Sequence, residues 1–124
     1  MTEKEKFIEV LKSRTKKLAV DIILFCNSLK ECKASSVITY QIVKSSSSTG
    51  ANYRAACRAR SKAEFYSKIC IVVEEADETE YWLELIHDTE LSSESKELNR
   101  LTKEANEITK IMSKARSSAS GNNK

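Results

Sequence analysis

No proline interrupts this chain, and its only glycines are Gly50 and Gly121. Sheets and loop-rich folds need residues that accept tight-turn backbone angles, and proline and glycine are the main suppliers. A chain without them is pushed towards long, uninterrupted helices. The rest of the composition agrees, since charged residues make up 31% of the chain and alanine, leucine, glutamate and lysine are strong helix formers. A length of 124 residues suits one core. The expected fold is therefore all-α, an up-down-up-down antiparallel four-helix bundle.

Four periodic segments support it. Thr2-Glu3-Lys4-Glu5 has the form of a capping box, with a hydroxyl at the cap and a carboxylate three residues on. Phe7, Leu11, Leu18, Ile22, Phe25 and Leu29 follow as one apolar stripe, with Arg14 in the missing step. A first helix to about Leu29 is predicted, then a polar link to Ser35. The third helix opens at Ser61-Lys62-Ala63-Glu64, a second serine cap, and its stripe runs through Phe65, Ile69, Val72 or Val73, Ala76, Thr79, Leu83 and Ile86. Tyr66, Tyr81, Trp82 and Leu85 lie beyond that stripe, and surplus apolar surface implies a second partner. A cap at Ser92 or Ser93 introduces the last helix, with Leu98, Leu101, Ala105, Ile108, Met112 and Ala115 inward. The bundle domain is predicted over residues 1–116, with 117–124 as a disordered tail.

The second segment is harder to read, because Ser45-Ser46-Ser47-Ser48-Thr49-Gly50 has the composition of a linker. As a loop it would leave Ala51 to Ala59 as an orphan helix of two turns, marginal alone. One helix from about Ser35 to Arg58 is preferred, with any bend near Ser48 to Gly50. Extending its stripe from Tyr40 lands on Lys44, Ser47 or Ser48, Ala51 and Ala55. Small side chains there would let a neighbouring helix come close, with hydroxyls bonding back to carbonyls four residues earlier.

The formal charge of +3 hides an asymmetry. Lys30 to Lys68 holds eight basic residues and two acidic ones, whereas Glu74 to Glu107 holds twelve acidic and three basic. Opposed blocks argue for directed surface fields, either facing each other in helix or subunit pairing or presented to an outside polyanion. Arg54 and Arg58 share a helix face, Arg60 and Lys62 occupy the adjoining turn, and Lys68 lies on the next helix. The first amides of that helix also favour an anion. These five are the candidate nucleic-acid contacts, reading phosphates rather than bases. Asn52, disfavoured mid-helix, is expected to be a buried structural residue where two helices meet.

Other chemistry finds little support. The lone His87 sits beside Asp88, no Cys or Ser has a local base, and phosphate-loop fingerprints need more glycines. The carboxylates from Glu74 to Glu84 lack the histidines of a diiron bundle. No catalytic residue, metal or cofactor is expected. Cys26, Cys57 and Cys70 fall among apolar neighbours, without CxxC spacing, so they are expected to be buried thiols, and with Cys32 in the polar link they point to a reducing, cytoplasmic compartment. The longest apolar run, Leu18 to Cys26, is broken by Asp21 and is too short to span a membrane.

Thr49-Gly50-Ala51-Asn52-Tyr53-Arg54, then Arg58-Ala59-Arg60-Ser61-Lys62-Ala63-Glu64-Phe65, then Glu75-Ala76-Asp77-Glu78-Thr79 leading to Tyr81-Trp82-Leu83-Glu84-Leu85, resembles the bacterial four-helix bundle proteins encoded in intervening sequences of 23S ribosomal RNA genes. The likeness is strongest across Ser45 to Ile86. It implies a homo-oligomer, a closed pentamer, with no enzymatic role. The family's Ala-Asn pair falls on Ala51-Asn52, and its arginine-serine turn and aromatic on Arg60, Ser61 and Phe65, giving Asn52 and Ser61 structural roles. Many relatives carry an acidic residue near the position of Ala56, and its absence here makes the patch more basic. The accessory proteins of diversity-generating retroelements, distantly similar, are basic pentamers that bind nucleic acid and a reverse transcriptase. RNA or DNA is thus an expected partner, with Tyr66, Tyr81 and Trp82 as candidate subunit contacts. The alternative is an oligomeric scaffold that docks another protein and has no nucleic-acid role.

Overall fold

The structure, a computed structural model, describes residues 1–121. It contains helices α1 (Glu3–Phe25), α2 (Lys33–Cys57), α3 (Lys62–Asp88) and α4 (Ser95–Gly121), with one 3₁₀ turn, Cys26–Ser28, closing α1. Consecutive helices pack side by side and α4 returns to α1, so α1 and α3 lie across the diagonal. This is the antiparallel up-down bundle that the proline-free sequence dictates. Its core is continuous from Leu11, Leu18 and Ile22 through Ile42, Ile69 and Leu83 to Leu101, Ile108 and Met112.

Local chemistry sets the helix ends. Thr2 and Glu5 form the reciprocal capping box at 2.9 and 3.1 Å, and Ser61 Oγ accepts the Glu64 amide at 3.0 Å. The first helix ends four residues before the predicted Leu29. Leu29 instead adopts extended backbone and pairs with Ser92. Lys30 N donates to Leu91 O at 2.8 Å, and the Ser28 and Ser92 hydroxyls meet at 2.7 Å. The α1–α2 and α3–α4 links therefore clasp each other at one end of the bundle, and the α2–α3 turn lies alone at the other. Ser92 is thus occupied in the clasp and is not the cap of α4, which begins at Ser95.

The serine tract is helical throughout, inside α2. Its inward face is rotated from the predicted one: Ser45, Ser46, Thr49 and Gly50 are fully buried, whereas Tyr40 is 65% exposed and Lys44, Ser47 and Ala51 face solvent. Thr49 donates to Ser45 O at 2.8 Å, so the hydroxyls are satisfied by their own helix. Across the α2–α3 seam the Ser45 and Thr79 hydroxyls meet at 2.8 Å, and Thr79 donates to Glu75 O of its own helix at 2.9 Å. Gly50 packs on Thr15 of α1, where an added Cβ would sit 3.5 Å from its backbone and side chain. Phe7, predicted inward, is 53% exposed, because the buried face of α1 begins only at Leu11. Helix α4 continues to Gly121, past the predicted domain end at residue 116. The remainder of the expected tail, residues 122–124, lies outside the described residues.

Candidate nucleic-acid interface

Helix α2 ends at Cys57 and α3 begins at Lys62, so a turn of four residues reverses the chain. Backbone bonds from Arg58 N to Ala55 O and from Ala59 N to Ala56 O tighten this end. The turn brings Arg54, Arg58, Arg60 and Lys62 to one corner, all exposed, and half-buried Lys68 follows two turns into α3. Among the described residues none of the five has a carboxylate within 4 Å. The Ser61 cap takes the Glu64 amide and leaves earlier first-turn amides for solvent or an anion. Glu64 is the single carboxylate of that turn.

The other arginines of the bundle are differently placed. Arg14 grips Glu104 through two bonds, 2.7 and 3.0 Å, and reaches Glu107 at 3.0 Å. These bonds hold its guanidinium firmly charged, with Glu104 the main cause. Arg100 binds Glu97 at 2.6 and 2.7 Å and Asp21 at 2.9 Å. Burial opposes the Asp21 charge, yet bonds from Lys17 and Arg100 hold its carboxyl below the usual range. Two open clefts run along α1 near these pairs, bordered by Lys17, Asp21, Arg100 and Glu104 and by Leu24, Asn27 and Glu94.

A contribution the sequence reading missed comes from α4. Antiparallel to α3, it carries Lys110, Lys114 and Arg116 to the same end as the corner, with no carboxylate after Glu107. The signal was the run without acids after Glu107, which lies far in sequence from the Lys30–Lys68 block that the corner was read from. The acidic block lies away from the corner: Glu74, Asp77 and Glu84 are exposed on α3 and form no ion pair among the described residues. The corner cations are therefore not paired with these carboxylates, although Lys44 of α2 acts on Glu75 of α3 from the seam.

The remaining predicted site residues fall as follows. Asn52 is half-buried, and its amide donates to Ser48 O and Oγ, both at 2.9 Å. Its partner is thus a residue of its own helix and not a neighbouring one. Tyr66 and Trp82 are half-buried, Tyr81 is 53% exposed, and the Tyr81 and Trp82 rings meet edge to face at 5.3 Å. Trp82 also packs on the core. All four cysteines are free, but Cys26, Cys57 and Cys70 are half-buried and not fully buried as expected, and Cys32 is exposed. His87 is exposed beside Asp88. Among the described residues no cluster of His, Cys, Asp and Glu could hold a metal ion, and no helix is long and apolar enough to cross a membrane.

This architecture and its central motif have known counterparts. The family model described as 23S rRNA-intervening sequence protein matches residues 8–114. The chain belongs to that family. It is also similar to a solved structure, a protein with unknown function from the S23 ribosomal protein family of Bacteroides thetaiotaomicron VPI-5482. The two share 34% identity and a TM-score of 0.78, over 89% of this chain and 97% of the other. No curated protein matches the chain. Membership in the intervening-sequence family accounts for the four-helix bundle, and the span of the match includes every candidate residue of the α2–α3 corner.

Proposed function

We propose that this chain is a non-catalytic, self-associating bundle, of pentameric ring size by family resemblance, whose basic end holds the phosphate backbone of RNA or DNA in the cytoplasm. The observation that carries this reading is the contrast among the arginines. Those between α1 and α4 are bound by carboxylates, whereas Arg54, Arg58 and Arg60, with Lys62 and Lys68, have no acidic partner among the described residues. A guanidinium without an internal anion is available to an external one, and guanidinium geometry suits phosphate. Lys110, Lys114 and Arg116 enlarge the same end. Repetition by symmetry would strengthen a field that a chain of net charge +3 presents weakly. The similarity to retroelement accessory proteins adds an analogy with basic pentamers that bind nucleic acid.

The test is binding of a labelled RNA or DNA pool by anisotropy across a salt series. Affinity should fall steeply with salt and show little sequence preference. The double variant Arg54→Glu/Arg58→Glu should bind at least tenfold more weakly at about 50 mM salt, roughly 1.4 kcal/mol or more, with unchanged helicity and native mass. Wild-type affinity in that variant would overturn the nucleic-acid reading. Loss of native mass in it would instead favour a scaffold in which the corner pairs subunits.

A further inference from the structure

The basic end of the bundle also carries an aromatic ring that nothing in the chain covers. Phe7 lies on α1 one turn before Leu11 and shares its face, yet Leu11 is 3% exposed and Phe7 is 53% exposed. At this end Cys57, Phe65, Ile111 and Ala115 pack on the buried cluster, and Phe7 stays outside it. The ring therefore continues the inward stripe of α1 without finding the core that the stripe serves.

The helix register shows what stands around that ring. Between α1 and α2, Cys26 meets Thr39 and Gly50 packs on Thr15. Counting along this antiparallel pair from either contact puts Phe7 level with Arg58. Between α1 and α4, Arg14 meets Glu104 and Glu107, and Asp21 meets Arg100. The same count there puts Phe7 within one turn of Lys114. Packed helices stand about 8–10 Å apart, so α1 presents its ring between two exposed cations of its neighbours. Lys4, one turn before Phe7 on its own helix, adds a third. None of the three has a carboxylate partner among the described residues. The acidic groups of the same turns are already engaged within α1: Glu3 lies 3.4 Å from Lys6, Glu9 lies 3.1 Å from Lys12, and Glu5 closes the Thr2 cap at 2.9 Å.

An aromatic face set among free cations suits a ligand that is apolar and flat at one point and anionic beside it. An unpaired nucleotide has that chemistry, with its base for the ring and its phosphate for the guanidinium. The bases of a duplex are stacked on one another and offer no free face. We propose that the basic end takes single-stranded nucleic acid, with one base stacked on Phe7 while the adjoining phosphates lie on Arg58 and the corner cations. This rests on the phosphate-backbone reading above and names the strand form and the base contact. Every base has a π face, so the contact adds affinity without a sequence code, in keeping with the weak sequence preference expected of the corner.

The test compares a short single-stranded RNA, the duplex it forms with its complement, and inorganic polyphosphate, each titrated against the full chain and three variants. Phe7→Ala should weaken the single strand about fivefold or more. It should leave the duplex, polyphosphate, the salt slope and the native mass at wild-type values. Phe7→Leu, apolar but without a π face, should be as weak as Phe7→Ala, and Phe7→Trp should restore the affinity. Trp82 is the only tryptophan of the chain, so the added emission of Phe7→Trp reports on the ring itself. The single strand should quench it and polyphosphate should not. Wild-type affinity for the single strand in Phe7→Ala or Phe7→Leu overturns the stacking contact and leaves the phosphate reading standing. An equal loss on all three probes, or a changed native mass, overturns it as well, by showing a structural or subunit role for Phe7. A wild type that binds none of the probes overturns the phosphate-backbone reading, and the base contact with it.

Discussion

Arg14 and Arg100, on the flank where α1 meets α4, are each held by two carboxylates, whereas Arg54, Arg58 and Arg60 at the α2–α3 corner touch none among the described residues. The helix pairs differ in packing as well. Along α2–α3 the helices approach through fully buried Ser45 and Thr79 joined by hydroxyls, and at Gly50 α2 packs directly on Thr15 of α1. Along α1–α4 polar side chains bridge the helices from outside. Small residues thus hold α2 in place without spending Arg54 and the corner cations beyond it, which stay free for a partner. Where cations do close a seam, they are structural.

The comparison can be broken at several points. Overfilling the seam with Ser45→Leu should cost about 1–3 kcal/mol, seen as a lower urea midpoint with unchanged slope. Removing a pinned arginine should matter less: Arg14→Ala is expected to lose about 1 kcal/mol, to become less harmful as salt rises, and to leave nucleic-acid affinity alone. If Arg14→Ala weakened binding as much as Arg58→Ala, the division between held and free cations would fail.

Much of the fold was legible because its signals are local. The Thr2 box, the Ser61 cap and the α3 stripe from Phe65 to Ile86 are written within a few residues of where they act. The rotation of α2 was not legible, because between Ile42 and Tyr53 the inward positions are serine, threonine and glycine, which carry no apolar signal. The period was therefore extended from Tyr40, an aromatic that faces solvent. The end of α3 likewise carries no glycine marker in the sequence. Glu90 takes the left-handed position, φ 52°, where glycine is the usual marker, and Leu91 N bonds Ile86 O at 3.1 Å to complete the cap. At the site, the corner cations were visible as a run. Their isolation was not, because whether an arginine finds a carboxylate depends on partners such as Glu104, ninety positions from Arg14.

Two smaller effects sharpen the same account in the stabilising direction. Gly50→Ala should raise stability by up to about 1 kcal/mol, since its Cβ would meet Thr15 only at ordinary contact distance, 3.5 Å. A loss in thermal melting would mean that the α1–α2 approach is tighter than described. Glu90→Gly should add roughly 0.5–1 kcal/mol by relieving the left-handed backbone; an unchanged urea midpoint would remove strain from the account of that cap.

The most direct measurement is the slope of log affinity against log salt for a single-stranded RNA, compared between Arg58→Ala and Arg100→Ala. Loss of the corner arginine should flatten the slope by about 0.7, one phosphate contact, while loss of the pinned one should leave it at the wild-type value. Equal slopes in both variants and the wild type would contradict the assignment of the free cations to a phosphate backbone.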